Sequence, residues 1–319
     1  MSRSRRGFTL VEMLVVLGII AVLVALLAPA VMSAVNSARR ASIGVEIKSL
    51  ADGVESYKLK TGDYPPNFRD YNAFIRHVRK CYPKIDAAHL DRVVTVIWPG
   101  YNATTNLPPS PTPMDMSSGT GIISEGEALV FWLHLVDNDP RYPFKAADPN
   151  YATTGAEALL ASTSPERHFP FKEDRFVFED PDQFPSYRAL HSKETCYIYI
   201  DSRSYDYFVT DFSSSDYAAY AEFPSLGFTR PYWSETRSTT TAPPLSPPLT
   251  LHYKPVNQTT FQIICAGQDG EFGGEPSPAG AKFFPGGGNT GGSGAGYLPA
   301  DRDNMTNFSE GRRLEDHIP

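Results

Sequence analysis

Oxygen donors gather near the carboxyl end of the sequence. Asp269 lies within, and Asp301, Asp303 and Asn304 follow, a tract, residues 267–296, that holds twelve of the chain's 24 glycines. Calcium takes roughly six to eight oxygens from carboxylates, carbonyls and water, and glycines let backbone carbonyls turn inward. These four residues are therefore candidate side-chain ligands, although the spacing is not that of an EF-hand loop. The competing reading is a glycine-rich surface loop with solvated acids. Other chemistries lack their residues. The seven histidines show no His-Glu-x-x-His and no Cys-x-x-Cys occurs, so zinc is not expected. Neither a Gly-x-Ser-x-Gly elbow nor a Walker A loop is present. Cys81, Cys196 and Cys265 are scattered. Cys196 and Cys265 fall on predicted strands and could pair if those strands are neighbours; buried free thiols are the alternative. At the other end, Glu12 borders residues 13–32, which carry no charge in 20 positions. An ionised side chain in hydrocarbon costs roughly 3 kcal/mol, so Glu12 either has a partner or reaches back to the headgroups.

The elements that must position these groups follow from patterning. With 41% hydrophobic and 20% charged residues, the chain has material for a core and is not disordered as a whole. A net charge of −7 argues against a nucleic-acid partner, which would need a basic surface. The apolar run over 13–32 is about 30 Å long as a helix, one bilayer core. It is too long for the hydrophobic region of a secretory signal peptide and continues without a break into helix-forming sequence. Ile43, Ile47, Leu50, Val54 and Tyr57 then mark one helical face. Gly62 is a natural stop and Pro65-Pro66 forbid continuation. A single helix is expected from about 8 to 60, roughly 80 Å long, in lipid at one end and packed on a soluble body at the other, with a bend at Pro29.

The body reads as helices followed by strands. Phe74, Val78 and Cys81 have helical spacing, an apolar run covers 93–98, and Ser124 with Glu127 caps a short buried helix. Residues 102–121 and 138–170 read as loops. Short aromatic and β-branched segments at 175–178, 196–200, 205–209, 249–254 and 260–265 read as strands. Two hairpins are expected, one joining 196–200 to 205–209 and one joining 249–254 to 260–265. This is an α+β pattern.

The amino terminus carries a resemblance. RRGFTLVEMLVVLGIIAVLVALLAPA resembles the signal of type IV prepilins and type II secretion pseudopilins: a basic leader, Gly, then Phe-Thr-Leu-x-Glu opening an apolar helix. The resemblance implies that prepilin peptidase cuts between Gly7 and Phe8 and that Phe8 is then N-methylated. Loss of Arg3, Arg5 and Arg6 would take the formal charge from −7 to −10. It also implies a partner for Glu12, the Phe8 amine of a neighbouring subunit. Tyr57-Lys58 with Gly62-Asp63-Tyr64-Pro65 is similar to the helix end of the G-type pseudopilin. The stretch Gly267-Gln268-Asp269-Gly270-Glu271-Phe272-Gly273, with Asp303-Asn304 beyond it, resembles that subunit's calcium loop, which is more compact.

The resemblance thus implies a pilin-like α+β fold, a long helix on an antiparallel sheet with an enlarged loop-rich middle. The expected divisions are a leader (1–7), the transmembrane and assembly half of the helix (8–35), its amphipathic half and cap (36–66), a helical and loop region without counterpart (67–190), and the sheet with the glycine-rich loop (191–319). The implied role is a non-enzymatic filament subunit of a type II secretion or pilus system, anchored by one pass in the inner membrane with its body outside. Its implied partners are prepilin peptidase, other pilin or pseudopilin subunits, an assembly platform and the bilayer. The alternative is an exported enzyme or binding domain that carries a prepilin leader.

Overall fold

In the computed structural model, the described residues are 9–68, 70–98, 123–153, 155–161, 167–178, 184–208, 229–237, 253–273, 282–285, 297 and 299–318. The first helix, α1, runs unbroken from Leu10–Thr61, through Pro29. Its start is a capping box: Thr9 Oγ1 accepts from Glu12 N, and Glu12 Oε2 accepts from Thr9 N at 2.8 Å. Its end is Gly62, at φ 80, whose N–H donates to Lys58 O at 2.7 Å. A left-handed residue is needed there, and glycine adopts it without a Cβ penalty.

The two halves of α1 differ in what covers them. Residues 10–39 are exposed, while Ile43, Ile47, Leu50, Gly53, Val54 and Tyr57 are buried. Two glycines permit close approach. A Cβ at Gly44 would lie 2.8 Å from Gly311 Cα, and one at Gly53 would lie 3.1 Å from His168 O. Glu46 fastens the helix laterally. It accepts a bidentate pair from Arg175 at 2.6 and 2.8 Å and a bond from Tyr197 Oη at 2.5 Å.

The described residues of the middle region hold more helix than the sequence suggests. They include α2 (Tyr71–Cys81) and α3 (Ala87–Ile97), which takes up the apolar run. Helix α4 (Glu125–Val130), capped by Ser124 and Glu127 as expected, continues into a π-helical turn at Phe131–Leu135. The stretch expected as loop over 138–170 contains a short helix, α5 (Gly155–Ala161). Aromatic rings close this core at the far end of α1. Phe68 stacks on Trp132 at 5.4 Å, and Trp132 Nε1 donates to Pro66 O at 2.8 Å. The Pro-Pro stop after α1 thus becomes part of the core wall.

Among the described residues, three small sheets complete the fold. Strand β1 (Phe176–Phe178) pairs antiparallel with β2 (Pro185–Tyr187). Strand β3 (Ile198–Asp201) pairs antiparallel with β6 (Phe261–Cys265), and β6 with β8 (Met305–Thr306). Strand β4 (Tyr232–Arg237) lies between β5 (Tyr253–Pro255), antiparallel, and β7 (Lys282–Phe284), parallel. The β3-β6-β8 sheet is buried on both faces. Tyr197, Tyr199, Phe261 and Ile263 join the core on α1, while Ile198, Ile200 and Ile264 join a second core with Tyr232, Trp233, Phe272, Phe283 and Leu314. This is the two-residue alternation of a strand.

Both expected hairpins are corrected. Residues Ser202–Phe208 form a 3-10 segment, not a strand returning along β3. Asp201 holds the chain in that curl: its carboxylate accepts from Arg203 Nε at 2.6 Å and its carbonyl from Ser204 Oγ at 2.7 Å. Nor does β5 return along β6. After Pro255 the chain crosses between sheets, and buried Gln262 bridges the crossing. Its Nε2 donates to Val256 O and Tyr232 O, and its Oε1 accepts from Tyr232 N. The expected class stands: a long apolar N-terminal helix with antiparallel sheets is an α+β fold consistent with the pilin layout.

Candidate functional site: the amino-terminal helix and the carboxyl-terminal loop

Gly7 and Phe8 lie outside the described residues. Glu12 is exposed in the first turn of α1 and caps its own helix, with Thr9 Oγ1 also donating to Glu12 Oε2 at 2.8 Å. Among the described residues α1 is the one helix long and apolar enough to cross a membrane, and none of its apolar span is buried in the fold.

The four candidate calcium ligands divide into two pairs. Asp269 and Asp303 converge. The N–H groups of Gln268 and Asp269 donate to Asp303 Oδ2 at 2.6 and 3.1 Å, and Asp269 Oδ1 accepts from Glu271 N at 2.8 Å. Burial, with the Asp303 charge beside it, pushes Asp269 up to about 7. Asp303 Oδ1 is buried without a hydrogen-bond partner. Two facing carboxylates and an orphan oxygen fit a hard cation, which would replace the proton that Asp269 otherwise retains. Gly267 and Gly270, at φ 70 and 77, turn the loop around this pair. Gln268 Nε2 donates to Asn36 O at 2.9 Å, so the loop rests on α1 just past its apolar half. Asp301 and Asn304 are engaged elsewhere: Asp301 Oδ1 accepts from Lys282 Nζ at 2.5 Å and from Asn304 Nδ2 at 3.3 Å. Among the described residues no group of three or more His, Cys, Asp or Glu side chains forms a metal cluster.

Two clusters that patterning missed have the residue types of catalysis. Cys81 Sγ lies 3.8 and 3.7 Å from the ring nitrogens of His77, and His77 Nδ1 lies 3.8 Å from Asp63. Yet His77 Nε2 is bonded to Tyr57 Oη at 2.8 Å, and burial pushes the thiol up, away from the nucleophilic thiolate. In the second cluster His89 Nε2 accepts from Phe144 N at 3.2 Å, so Nδ1 carries the proton it gives to Asp148 at 2.5 Å. Arg92 grips the same carboxylate at 2.7 Å through two nitrogens. Both clusters are saturated struts. Their carboxylates lie 14 to 59 residues from the histidines, so spacing gave no signal beyond His77 with Cys81, and His89 with Arg92, sharing a helical face. Glu46 was more legible, because it falls on the stripe of Ile43, Ile47 and Leu50. Cys196 and Cys265 are both buried, and no disulfide joins them.

The apolar helix and its cap can now be set beside known proteins. Residues 2–28 match the prokaryotic N-terminal methylation motif. The chain is 35% identical over 74 residues to type II secretion system core protein G of Pseudomonas aeruginosa, covering 23% of this chain and 52% of that protein. It is 34% identical over 73 residues to the protein of the same name from Klebsiella michiganensis, covering 23% and 51%. The chain thus spans about half the length of either relative, in its N-terminal part. No solved structure matches it.

Proposed function

We propose that this chain is a pseudopilin, a structural subunit of a filament of the type II secretion kind. The observation that carries this reading is the methylation motif at 2–28 running into one 52-residue helix whose apolar half no part of the body covers. A helix of that composition is stable in lipid, or packed against copies of itself, and not in water. On this reading prepilin peptidase cuts between Gly7 and Phe8, Phe8 is methylated, and the chain waits in the inner membrane as a single-pass protein with its body outside. Assembly then moves α1 from lipid into a bundle with neighbouring pilin subunits, driven by a separate platform. Glu12 pairs there with a neighbour's N-terminal amine, each charge offsetting the cost of burying the other. The saturated clusters of the middle region support a structural role for the body rather than a catalytic one. We assign Asp269 and Asp303 as the residues that hold calcium. The ion would supply the positive charge that pins the 267–271 loop against α1.

N-terminal sequencing and intact mass of the membrane-extracted protein test the reading. The expected chain begins at N-methylated Phe8. A chain that still starts at Met1, or one cut near Ala30, would overturn it.

A further inference from the structure

Lys282, on β7, is withdrawn from water at 9% exposure. Its Nζ donates to Asp301 Oδ1 at 2.5 Å, Phe272 O at 2.9 Å and Gly273 O at 3.3 Å. Asn304 shares the enclosure at 0% exposure, and its Nδ2 donates to Asp301 Oδ1 at 3.3 Å and Phe272 O at 3.0 Å. The lysine amine and the asparagine amide nitrogen therefore share two acceptors, a carboxylate and a carbonyl, which hold them side by side. Asn304 Oδ1 is buried with no hydrogen-bond partner, an exception in a core whose polar groups are otherwise mostly satisfied. Tyr232 walls the site, its ring centroid 5.8 Å from Lys282 Nζ and its hydroxyl 3.4 Å from Asn304 Nδ2.

A buried nucleophile, an acyl carbon and a carboxylate touching both nitrogens are the parts of an acyl transfer. We propose that Lys282 and Asn304 become joined by an intramolecular isopeptide bond, with Asp301 as the acid–base group. Asp301 Oδ1 takes a proton from Lys282 Nζ, and the freed lone pair attacks Cγ of Asn304. Asp301 then returns the proton to Nδ2, the Cγ–Nδ2 bond breaks and ammonia leaves, taking up the surplus proton of the newly bonded nitrogen as ammonium. In sum, a lysine ammonium and a primary amide give a secondary amide and ammonium. No electron changes hands and no co-reactant is needed. Burial lowers the lysine toward its neutral, nucleophilic form, although the Asp301 charge opposes this. Holding amine and amide on the same two acceptors replaces a collision with a unimolecular step, the largest help a fold can give such a reaction. The product ties β7 of one sheet to the segment entering β8 of another, across the second core. It closes the chain much as a disulfide would, in a protein whose three cysteines form no disulfide. This inference does not depend on the filament reading.

The full chain, extracted from membranes, is measured by intact mass and by tandem mass spectrometry of a digest. The expected mass is one ammonia below that of the processed sequence, with a branched peptide joining Lys282 to Asn304. A full mass with linear peptides would overturn the proposal. So would an ammonia deficit confined to a linear Asn304 peptide, the mark of a succinimide. Loss of water with a Lys282–Asp301 link would remove Asn304 from the reaction. Asp301→Asn, nearly isosteric, should leave the branch unformed, and Lys282→Arg should restore the full mass; a branch that persists in Asp301→Asn would end the role given to Asp301. The wild-type measurement decides whether the bond exists even where a variant does not fold.

Discussion

Asp269 shows how one side chain couples pH, metal and order in the loop. Its carboxyl is pushed up to about 7, against an ordinary value of 3.8, by burial and by Asp303. A raised acid binds its proton more tightly in the folded protein. The stability it contributes is therefore complete below pH 4 and is lost as pH rises through 7. In chelator, the detergent-solubilised chain should melt lower at pH 8 than at pH 5, and Asp269→Asn should flatten that part of the dependence. Asp201, raised to about 6 by burial, shifts the same way, so the difference between wild type and variant is the quantity to follow. Millimolar calcium should raise the melting temperature of the wild type at pH 8 and leave Asp269→Asn unmoved. A ligand at a hundredfold excess over its Kd stabilises by about 2.7 kcal/mol. Equal melting in calcium and in chelator would leave the pair as two carboxyls sharing a proton.

At the scale of elements, the junction between α1 and the body combines the apolar stripe with side-chain bonds such as Ser42 to His191, Ser56 to His168 and Lys60 to Asn138. Glu46 and Arg175 are its charged pair, with side chains 14% and 11% exposed. Removing one partner strands the other in a dry site, which costs about 3 kcal/mol or more, whereas replacing both with apolar residues can be neutral. Arg175→Met should therefore lower stability in urea by about 3 kcal/mol, and Glu46→Leu with Arg175→Met should recover most of it. A double variant as weak as the single would mean that the packing around Arg175, whose guanidinium lies 4.2 Å from the Tyr187 ring centroid, matters more than its charge.

At the scale of the whole molecule, the proposed assembly makes Glu12 the place where two explanations of one residue part. It caps its own helix, and it is assigned a neighbour's amine. Glu12→Gln separates these roles, because glutamine also completes a capping box but carries no charge. Glu12→Gln and Glu12→Ala should both insert in the membrane and lose their leader, yet show several-fold less cross-linking between subunits. Wild-type cross-linking in Glu12→Gln would reduce Glu12 to a cap worth about 1 kcal/mol.

The sequence by itself determined the features that depend on neighbours along the chain. The bounds of α1, its buried stripe, the Gly62 stop and the caps of Ser124 and Glu127 are local, set by residues within one or two helical turns. The N-terminal motif was legible for the same reason. Strand partners were not. The segments at 196–200 and 260–265 were recognisable as strands, but their pairing with each other was decided by Asp201 curling the chain after β3 and Gln262 bridging the crossover after β5. Nearest-neighbour hairpins are the default because loop closure is cheapest for short loops. Here, side-chain bonds to the backbone outweighed that default. The oxygen donors near the carboxyl end divided for a related reason. Asp301 ends a 3-10 turn and its carbonyl accepts from Asn304 N at 3.2 Å, so the side chains at 301 and 304 share a side that Asp303, between them, does not. Asp303 was thereby delivered to Asp269, and Asp301 and Asn304 to a lysine that no spacing rule connects to them.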